Sequence, residues 1–358
     1  MLGWAVVAAL EIGLFALIAA WLIGRVYSDR ALWSQYLGWI PTEAVVGVGS
    51  VLAAGVFVIG RGRRRLVPGF AVVILLGWLL IGEWRVYRWV MPSPPRGDIR
   101  VVFMNISPKG GKGDLGPVFE SDADIVVLSN VHPQRITFEK IYGFPPEQLL
   151  ERTVGIVPGE SPPGEIHMLR YGGFHVYSRH TIRKRASAHI GNQETWLDGD
   201  VLGGGGVLML EIDAPGGPLV LWVVDMPRTL GASRRLLFEQ MGARIDKISK
   251  LLTIGDMGRW KLEDADENDL LFTPDLVVGD FNTPARAWSL TRLEPGLRNV
   301  RSDAGAGPGG TFPAEFPLFE IDLARLGTDI EATRVGRIRC DGCRHLGIAL
   351  ELERGSSD

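Results

Sequence analysis

The stretch Asp275-Leu-Val-Val-Gly-Asp-Phe-Asn-Thr-Pro284 is the most informative segment of the chain for the fold. Its apolar half is rich in valine and is bounded by polar residues, which predicts a short buried strand that runs into Gly279. The strand then presents Asp280 and Asn282 from a tight turn, because Gly, Asp and Asn are typical turn residues. An acid and an amide at the end of a strand can orient a water molecule and donate hydrogen bonds to a developing oxyanion. The segment therefore predicts hydrolytic chemistry at the end of a buried strand.

Other short apolar runs follow residue 97 and predict further buried strands. A helix is predicted from Arg234 to Leu252, because apolar residues recur there at helical spacing. Strands mixed with few helices over roughly 260 residues predict one layered sandwich of the α/β or α+β class. The predicted strands are Ile99–Met104, Asp124–Leu128, Phe174–Tyr177, Val207–Ile212, Leu219–Val224, Leu276–Val278 and Ile348–Leu352.

Several segments combine a predicted strand with polar residues beside it. These are Met104-Asn105, Ala123-Asp-Ile-Val-Val-Leu-Ser-Asn130, Val176-Tyr-Ser-Arg179, Thr311-Phe-Pro313 with Glu320-Ile-Asp322, and His345 before the last strand. Their order and spacing, together with the Gly-Asp-Phe-Asn turn, resemble the motifs of the endonuclease/exonuclease/phosphatase superfamily, which includes deoxyribonuclease I. The resemblance covers residues 98–358. It implies a four-layer sandwich of two packed mixed sheets flanked by helices, with the site at one end.

The resemblance also implies the roles of five residues in a phosphodiester or phosphoester hydrolase. Asp280 is the expected water-activating base, and His345 is expected to pair with Asp322. Asn105 and Asn282 match positions that orient water and bind phosphoryl oxygens. In the family, carboxylates hold Mg²⁺ or a similar hard cation that neutralises the phosphoryl oxygens.

Three positions depart from the family pattern. Asn130 stands where the metal-binding glutamate is expected, Arg344 replaces the aspartate before the histidine, and Asp225-Met-Pro227 replaces Asn-Thr-His. Mg²⁺ is the cofactor that the family implies, but hard cations need several oxygen ligands and two carboxylates are lost here, so no metal ligand is assigned. Asn130 and Arg344 are the candidate substrate contacts, since a guanidinium binds phosphate as a fork; the alternative is that Arg344 is merely exposed after the metal site was lost. A shift in the alignment would instead return Asp341 to the metal position.

Two functions remain open at this point. One is a phosphoesterase of altered mechanism, and the other is a non-catalytic descendant that binds a ligand or partner in the old cleft. With 46% hydrophobic residues, 22% charged residues and a net charge of −3, the composition excludes a disordered chain and a strongly basic nucleic-acid binder. The expected partner is a phosphate-containing molecule. The sequence does not separate lipid, nucleic acid and nucleotide as its source, and it predicts no oligomeric state.

The N-terminal residues 1–90 predict a membrane anchor. Apolar runs occupy about residues 2–24, 44–60 and 66–82, and a helix needs roughly 20 apolar residues to cross a hydrocarbon core of ~30 Å. A stiff proline-rich linker at 91–97 separates the anchor from the domain that follows. We therefore expect a multi-pass protein of the cell inner membrane, with the lipid bilayer as its partner.

The orientation follows from arginine placement. Residues 61–65, between the second and third apolar runs, include four arginines, and positive charge stays on the cytoplasmic side. Three crossings then place the domain at residues 98–358 outside the cytoplasm. Cys340 and Cys343 are compatible with a disulfide in that compartment, with free structural thiols, or with a redox or metal function.

Overall fold

The computed structural model describes residues 2–60, 62–92, 94–107, 115–131, 167–190, 205–253, 273–293 and 295–355. Three of its helices are long and apolar enough to cross a membrane. They are α1 (Leu2–Tyr27), α3 (Thr42–Ile59) and α4 (Leu66–Gly77), which continues as π-helix over Trp78–Glu83; the short α2 (Leu32–Gly38) lies between the first two. The three predicted apolar helices are thus confirmed, with ends that differ by a few residues.

The described residues after residue 97 form two mixed sheets of six strands each, together with several helices. The first has the order β11-β12-β1-β2-β4-β3, and the second has the order β5-β6-β7-β8-β10-β9. Their strands are β1 (Ile99–Asn105), β2 (Ile125–Ser129), β3 (His167–Tyr171), β4 (Phe174–Ser178), β5 (Ile182–Ile190), β6 (Gly205–Ala214), β7 (Gly217–Asp225), β8 (Leu276–Asp280), β9 (Arg298–Asn299), β10 (Asp322–Leu326), β11 (Ile330–Arg339) and β12 (Leu346–Arg354). The helices of this part are α5 (Gly116–Phe119), α6 (Arg234–Thr253) and α7 (Val300–Ala304).

The inner faces of the two sheets form the main core. Phe103 of β1, Leu221 of β7 and Val278 of β8 are buried in one apolar cluster that both sheets share. The predicted α6 packs on the outer face of the second sheet, where Phe238 and Met241 are buried beside Trp222. Two packed mixed sheets with flanking helices confirm the predicted fold class.

Each sheet has one parallel strand pair near its centre. In the first sheet β1 pairs with β2, and in the second β7 pairs with β8. The carboxyl ends of two parallel strands lie at the same sheet edge, so side chains that follow them come together. This arrangement places Asn105 beside Ser129 in one sheet and Asp225 beside Asp280 in the other.

The segment from Asp29 to α2 contacts the residues that follow the carboxyl ends of β7 and β8. The side chain of Gln35 in α2 accepts a hydrogen bond from the backbone N–H of Arg234, at 2.9 Å. Asp29, between α1 and α2, accepts one from the backbone N–H of Ser289, at 3.0 Å. Buried polar groups of the anchor therefore find their partners in the segments that follow the two central strands.

Candidate active site

A hydrogen bond between the two sheets joins the end of β1 to the end of β8. The side-chain amide of Asn105 donates to Oδ2 of Asp280 at 2.8 Å, and both side chains are buried. The backbone N–H of Asn282 donates to Oδ1 of the same carboxylate at 2.8 Å. Asn282 has a φ of 45°, a left-handed conformation that asparagine tolerates better than most residues. The predicted turn thus folds back onto the carboxylate that it presents.

The second half of the site is an aspartate–histidine pair. Nδ1 of His345 lies 2.8 Å from Oδ2 of Asp322, and Asp322 is the register partner of Asp280 in the neighbouring antiparallel strand. The hydroxyl of Thr311 accepts the backbone N–H of Asp322 at 3.2 Å, and the ring of Phe312 lies 4.9 Å from the imidazole ring. The aspartate–histidine pair that the family resemblance implies is therefore formed. Thr311 holds the Asp322 backbone, and Phe312 packs beside the His345 ring.

Burial and mutual charge perturb the ionisation of this cluster. Burial and the neighbouring Asp322 raise the pKa of Asp280 well above the ordinary range of a carboxyl. Burial likewise raises the pKa of Asp225 to about 7, although the charge of His345 opposes this shift. For His345, burial disfavours the imidazolium, but the carboxylates of Asp322, Asp280 and Asp225 together raise its pKa to about 9. The cluster therefore combines a carboxylate of increased basicity with a histidine that stays protonated at neutral pH.

Asn130 and Arg344, two of the three departures from the family pattern, lie at the rim. Both are exposed, and Asn130 donates its side-chain amide to Oδ1 of Asn105 at 3.1 Å. The backbone N–H of Arg344 donates to the carbonyl of Ser107 at 3.0 Å. Its guanidinium makes no hydrogen bond or ion pair to any residue in the described part of the chain.

A disulfide closes the turn before Arg344. Cys340 and Cys343 are both buried and bonded to each other, which decides among the three states that the sequence left open. Asp341, the alternative metal ligand, is exposed within this turn. The disulfide thus fixes the short segment from which Arg344 and His345 emerge.

The oxygen ligands that Mg²⁺ needs do not fit the place where the family resemblance expects the ion. Oδ1 of Asn105 already accepts two hydrogen bonds, from the amide of Asn130 and from the backbone N–H of Ser107 at 3.1 Å. Donor hydrogens thus point at the oxygen that a cation would have to approach, and no carboxylate stands at Asn130.

A second group of possible metal ligands is buried beneath the rim that Asn130 and Arg344 form. Asp280, Asp322 and His345 offer ligand atoms that all lie within 4.8 Å of one another. Both oxygens of Asp280 already accept hydrogen bonds, and Nδ1 of His345 is bonded to Asp322, so Oδ1 of Asp322 and Nε2 of His345 are the ligand atoms left without a partner among the described residues. Mg²⁺ demands near-octahedral oxygen coordination. The three side chains therefore fit an acid–base assembly better than a magnesium site.

Comparison with solved structures finds similar folds at low sequence identity. An endonuclease/exonuclease/phosphatase from Beutenbergia cavernae is 17% identical, with a TM-score of 0.46 over 73% of this chain and 72% of that one. A mannosyl-6-phosphatase from Bacteroides thetaiotaomicron is 14% identical, with a TM-score of 0.44 over 71% of this chain and 99% of that one. At this identity the similarity concerns the fold alone.

A human structure is also similar to the chain. The Nocturnin catalytic domain, with a bound sulfate anion, is 13% identical, with a TM-score of 0.43 over 73% of this chain and 96% of that one. No protein-family model and no curated protein sequence matches this chain. The structure from Beutenbergia cavernae carries the name of the superfamily that the sequence motifs resemble, and the comparison concerns fold alone.

Sequence reasoning placed five residues of the cluster but not Asp225. That residue was noted only as a departure from Asn-Thr-His, whereas its register pairing places it beside Asp280. The signal was available in principle, because both residues end strongly apolar runs. It could be used only once β7 and β8 were known to be parallel neighbours.

Proposed function

We propose that this chain is a membrane-anchored phosphoester hydrolase that acts through the cluster of Asn105, Asp280, Asp322 and His345. The observation that carries the proposal is the 2.8 Å hydrogen bond from Asn105 to Asp280 across the two sheets. It joins the expected base to the expected phosphoryl-binding amide, beside a histidine that is itself paired with Asp322. A turn that served only a structural role would not need this second pair.

Asp280 accepts the proton of the attacking water in the proposed reaction. Its raised pKa makes it a stronger base than an ordinary carboxylate, and Asn105 and Asn282 fix its orientation. The imidazolium of His345, held by Asp322, neutralises charge that develops on the phosphoryl oxygens and can protonate the leaving oxygen. Each step uses the chain's own residues.

Arg344 and Asn130 supply the substrate contacts at the rim. A guanidinium without a partner among the described residues can bind two phosphoryl oxygens at once. Its position directly before His345 supports this role. Asn130 stands where the family resemblance expects the metal-binding glutamate, and its exposed side chain is available to substrate there.

The pH dependence of turnover tests this assignment. Asp280 must lose its proton and His345 must keep one, so activity should rise with pH through the raised carboxyl pKa and fall again as pH passes about 9. We expect kcat of the full chain on a chromogenic phosphodiester to follow this bell shape. In His345→Gln the alkaline limb should disappear along with most of the activity. A descending limb near pH 9 that persists in His345→Gln would contradict the assignment.

We further propose that residues 1–90 anchor the protein in the inner membrane, with the catalytic domain outside the cytoplasm. Four arginines at 61–65 support a cytoplasmic link between α3 and α4. The bond between Cys340 and Cys343 supports an oxidising compartment for the domain.

Cysteine labelling in intact cells tests the orientation. The native cysteines are buried and bonded to each other, so they should not react with the maleimide label. Glu331→Cys, at an exposed site on β11, should react with a membrane-impermeant maleimide, whereas Arg63→Cys should react only after permeabilisation. The reverse pattern would place the domain in the cytoplasm.

A further inference from the structure

A cavity of about 660 Å³ lies where the membrane helices meet the catalytic domain. Its volume falls within the range of roughly 300–1,000 Å³ that is typical of small-molecule sites. The wall comes partly from α1 and α4 and partly from the loop that follows β8, where Thr283 and Pro284 come directly after the catalytic turn. The cavity therefore lies between the apolar helices and the segment that directly follows the catalytic turn.

The two ends of the cavity differ in chemistry. One end is lined by Phe15, Ile18 and Leu22 of α1 and by Ile74 of α4. Three of these side chains, Phe15, Leu22 and Ile74, are also exposed on the outside of the helices. This end thus opens among apolar side chains at the depth of the bilayer core, where water is excluded.

The other end is cationic. Arg25, Arg234 and Arg286 line it, and Asp29 is the acidic residue beside them. Glu83 lies 3.4 Å from the Arg25 guanidinium and 3.3 Å from that of Arg286, so one carboxylate is shared by two arginines. The cavity lining itself holds three guanidinium groups and one carboxylate, so this end presents donors that suit an anionic group.

The polar wall has hydrogen-bonding capacity that the chain itself does not use. Nε of Arg25, Nε of Arg234, Nε1 of Trp39 and Oγ1 of Thr283 are buried, and none has a partner in the described part of the chain. All four residues line the cavity. Unpaired buried polar atoms are rare in proteins, and four of them belong to residues of this one wall.

The length of the cavity matches one leaflet of a membrane. Phe15 and Arg25 both line the cavity and are ten residues apart on α1, which at 1.5 Å per helical residue is about 15 Å. That is half of a hydrocarbon core of ~30 Å. A lipid acyl chain that reaches to Phe15 would therefore place its headgroup at Arg25.

The cationic end also lies close to the catalytic carboxylate. Arg234 at the start of α6 is buried, which lowers the pKa of its guanidinium to about 10, while the charges of Asp280 and Asp29 oppose that shift. Asp280 is the proposed base and Asp29 lines the cavity. Arg234 thus interacts electrostatically both with the proposed base and with an acidic residue of the cavity wall.

We propose that this cavity binds an anionic phospholipid of the bilayer, with an acyl chain between α1 and α4 and the phosphate at Arg25 and Arg286. The site brings a phosphate-containing lipid to the domain from within the membrane. Binding at this site is independent of the proposed hydrolysis, because it uses residues outside the catalytic cluster.

Native mass spectrometry of the full chain in detergent, titrated with phosphatidylglycerol, tests the site. We expect one tightly bound lipid per chain, and at least a tenfold weaker affinity in the double variant Arg25→Gln/Arg286→Gln. Ala71→Trp, which fills the cavity wall on α4, should weaken binding to a similar degree without a change in charge. Asp280→Asn should bind lipid like the wild type, which separates this site from catalysis.

Two controls make the test specific. Arg30→Gln removes an exposed charge at the same end of α1, and Ala54→Trp adds the same bulk on the exposed face of α3; neither residue lines the cavity. Lipid affinity should be unchanged in both. Equal losses in Arg30→Gln and in the double variant would overturn the proposal, because general attraction to anionic lipid would then explain binding. Equal binding of inorganic phosphate and phosphatidylglycerol would also overturn it, because the apolar end would then be unused.

Discussion

Asp280→Asn is expected to lower phosphodiester turnover by about 10³-fold, because general base catalysis contributes roughly 10²–10⁴-fold to such reactions. The change removes the negative charge that accepts the proton of water. It also turns an acceptor at Oδ1 or Oδ2 into a donor that faces the amide of Asn105 or the N–H of Asn282. The measurement is kcat of the full chain on a chromogenic diester.

A matched control lies on the same strand segment. Asp275 precedes β8, and its carboxylate accepts the backbone N–H of Val220 at 2.8 Å, far from the carboxyl end of the strand. Asp275→Asn should cost some stability but keep kcat within about threefold of the wild type, because surface and half-buried substitutions away from a site act mainly on folding. Equal losses of turnover in the two variants would mean that the Asp280 result reports folding rather than catalysis.

Gly279→Ala is expected to destabilise the domain by more than about 4 kcal/mol, the size typical of severe backbone clashes. A Cβ at this position would lie 2.0 Å from the carbonyl oxygen of Val224, its register partner in β7. Both strands are central and buried, so neither can move away without opening the core. The glycine of the Gly-Asp-Phe-Asn turn is therefore required by the close approach of two backbones.

Gly336→Ala in β11 is the matched control. No atom lies within 4 Å of a Cβ at that position, and the residue is exposed. Alanine there should change the thermal unfolding midpoint only slightly, since a compatible Gly→Ala change restricts the unfolded chain. If Gly279→Ala unfolded at the same temperature as Gly336→Ala, the described packing of β7 on β8 would be wrong.

The central strands were predictable because they are buried on both faces. β1, β2, β4, β7 and β8 are continuous apolar runs, and their predicted ends lie within about two residues of the observed ones. The strands that sequence reasoning missed are β3, β5, β9, β10 and β11. β5 and β11 lie at or near sheet edges and carry several charged residues on their open faces. Alternating charged and apolar residues in such strands resemble loop sequence.

The site was predictable to the extent that its residues follow strands in the chain. Asn105, Asp280 and Asn282 could be placed because each ends a recognised run, while Asp322 and His345 depended on the family resemblance. Asp225 could be placed in the site only once β7 and β8 were known to be neighbouring strands. The hydrogen bond between Asn130 and Asn105 occupies the expected metal position, and it could be recognised only once the conformations of both side chains were known. Long-range pairing of this kind is not encoded in local pattern.

The most direct test of the account measures phosphodiester hydrolysis by the full chain after exhaustive treatment with EDTA, and again with Mg²⁺ restored, with Asp280→Asn measured beside it. We predict turnover that survives EDTA, gains little from Mg²⁺ and is lost in Asp280→Asn, because the chain's own Arg344 and His345 supply the positive charge. Turnover that requires Mg²⁺ would contradict this account. A well-folded wild type that does not hydrolyse the diester under either condition would also contradict it, and would favour the non-catalytic binding protein.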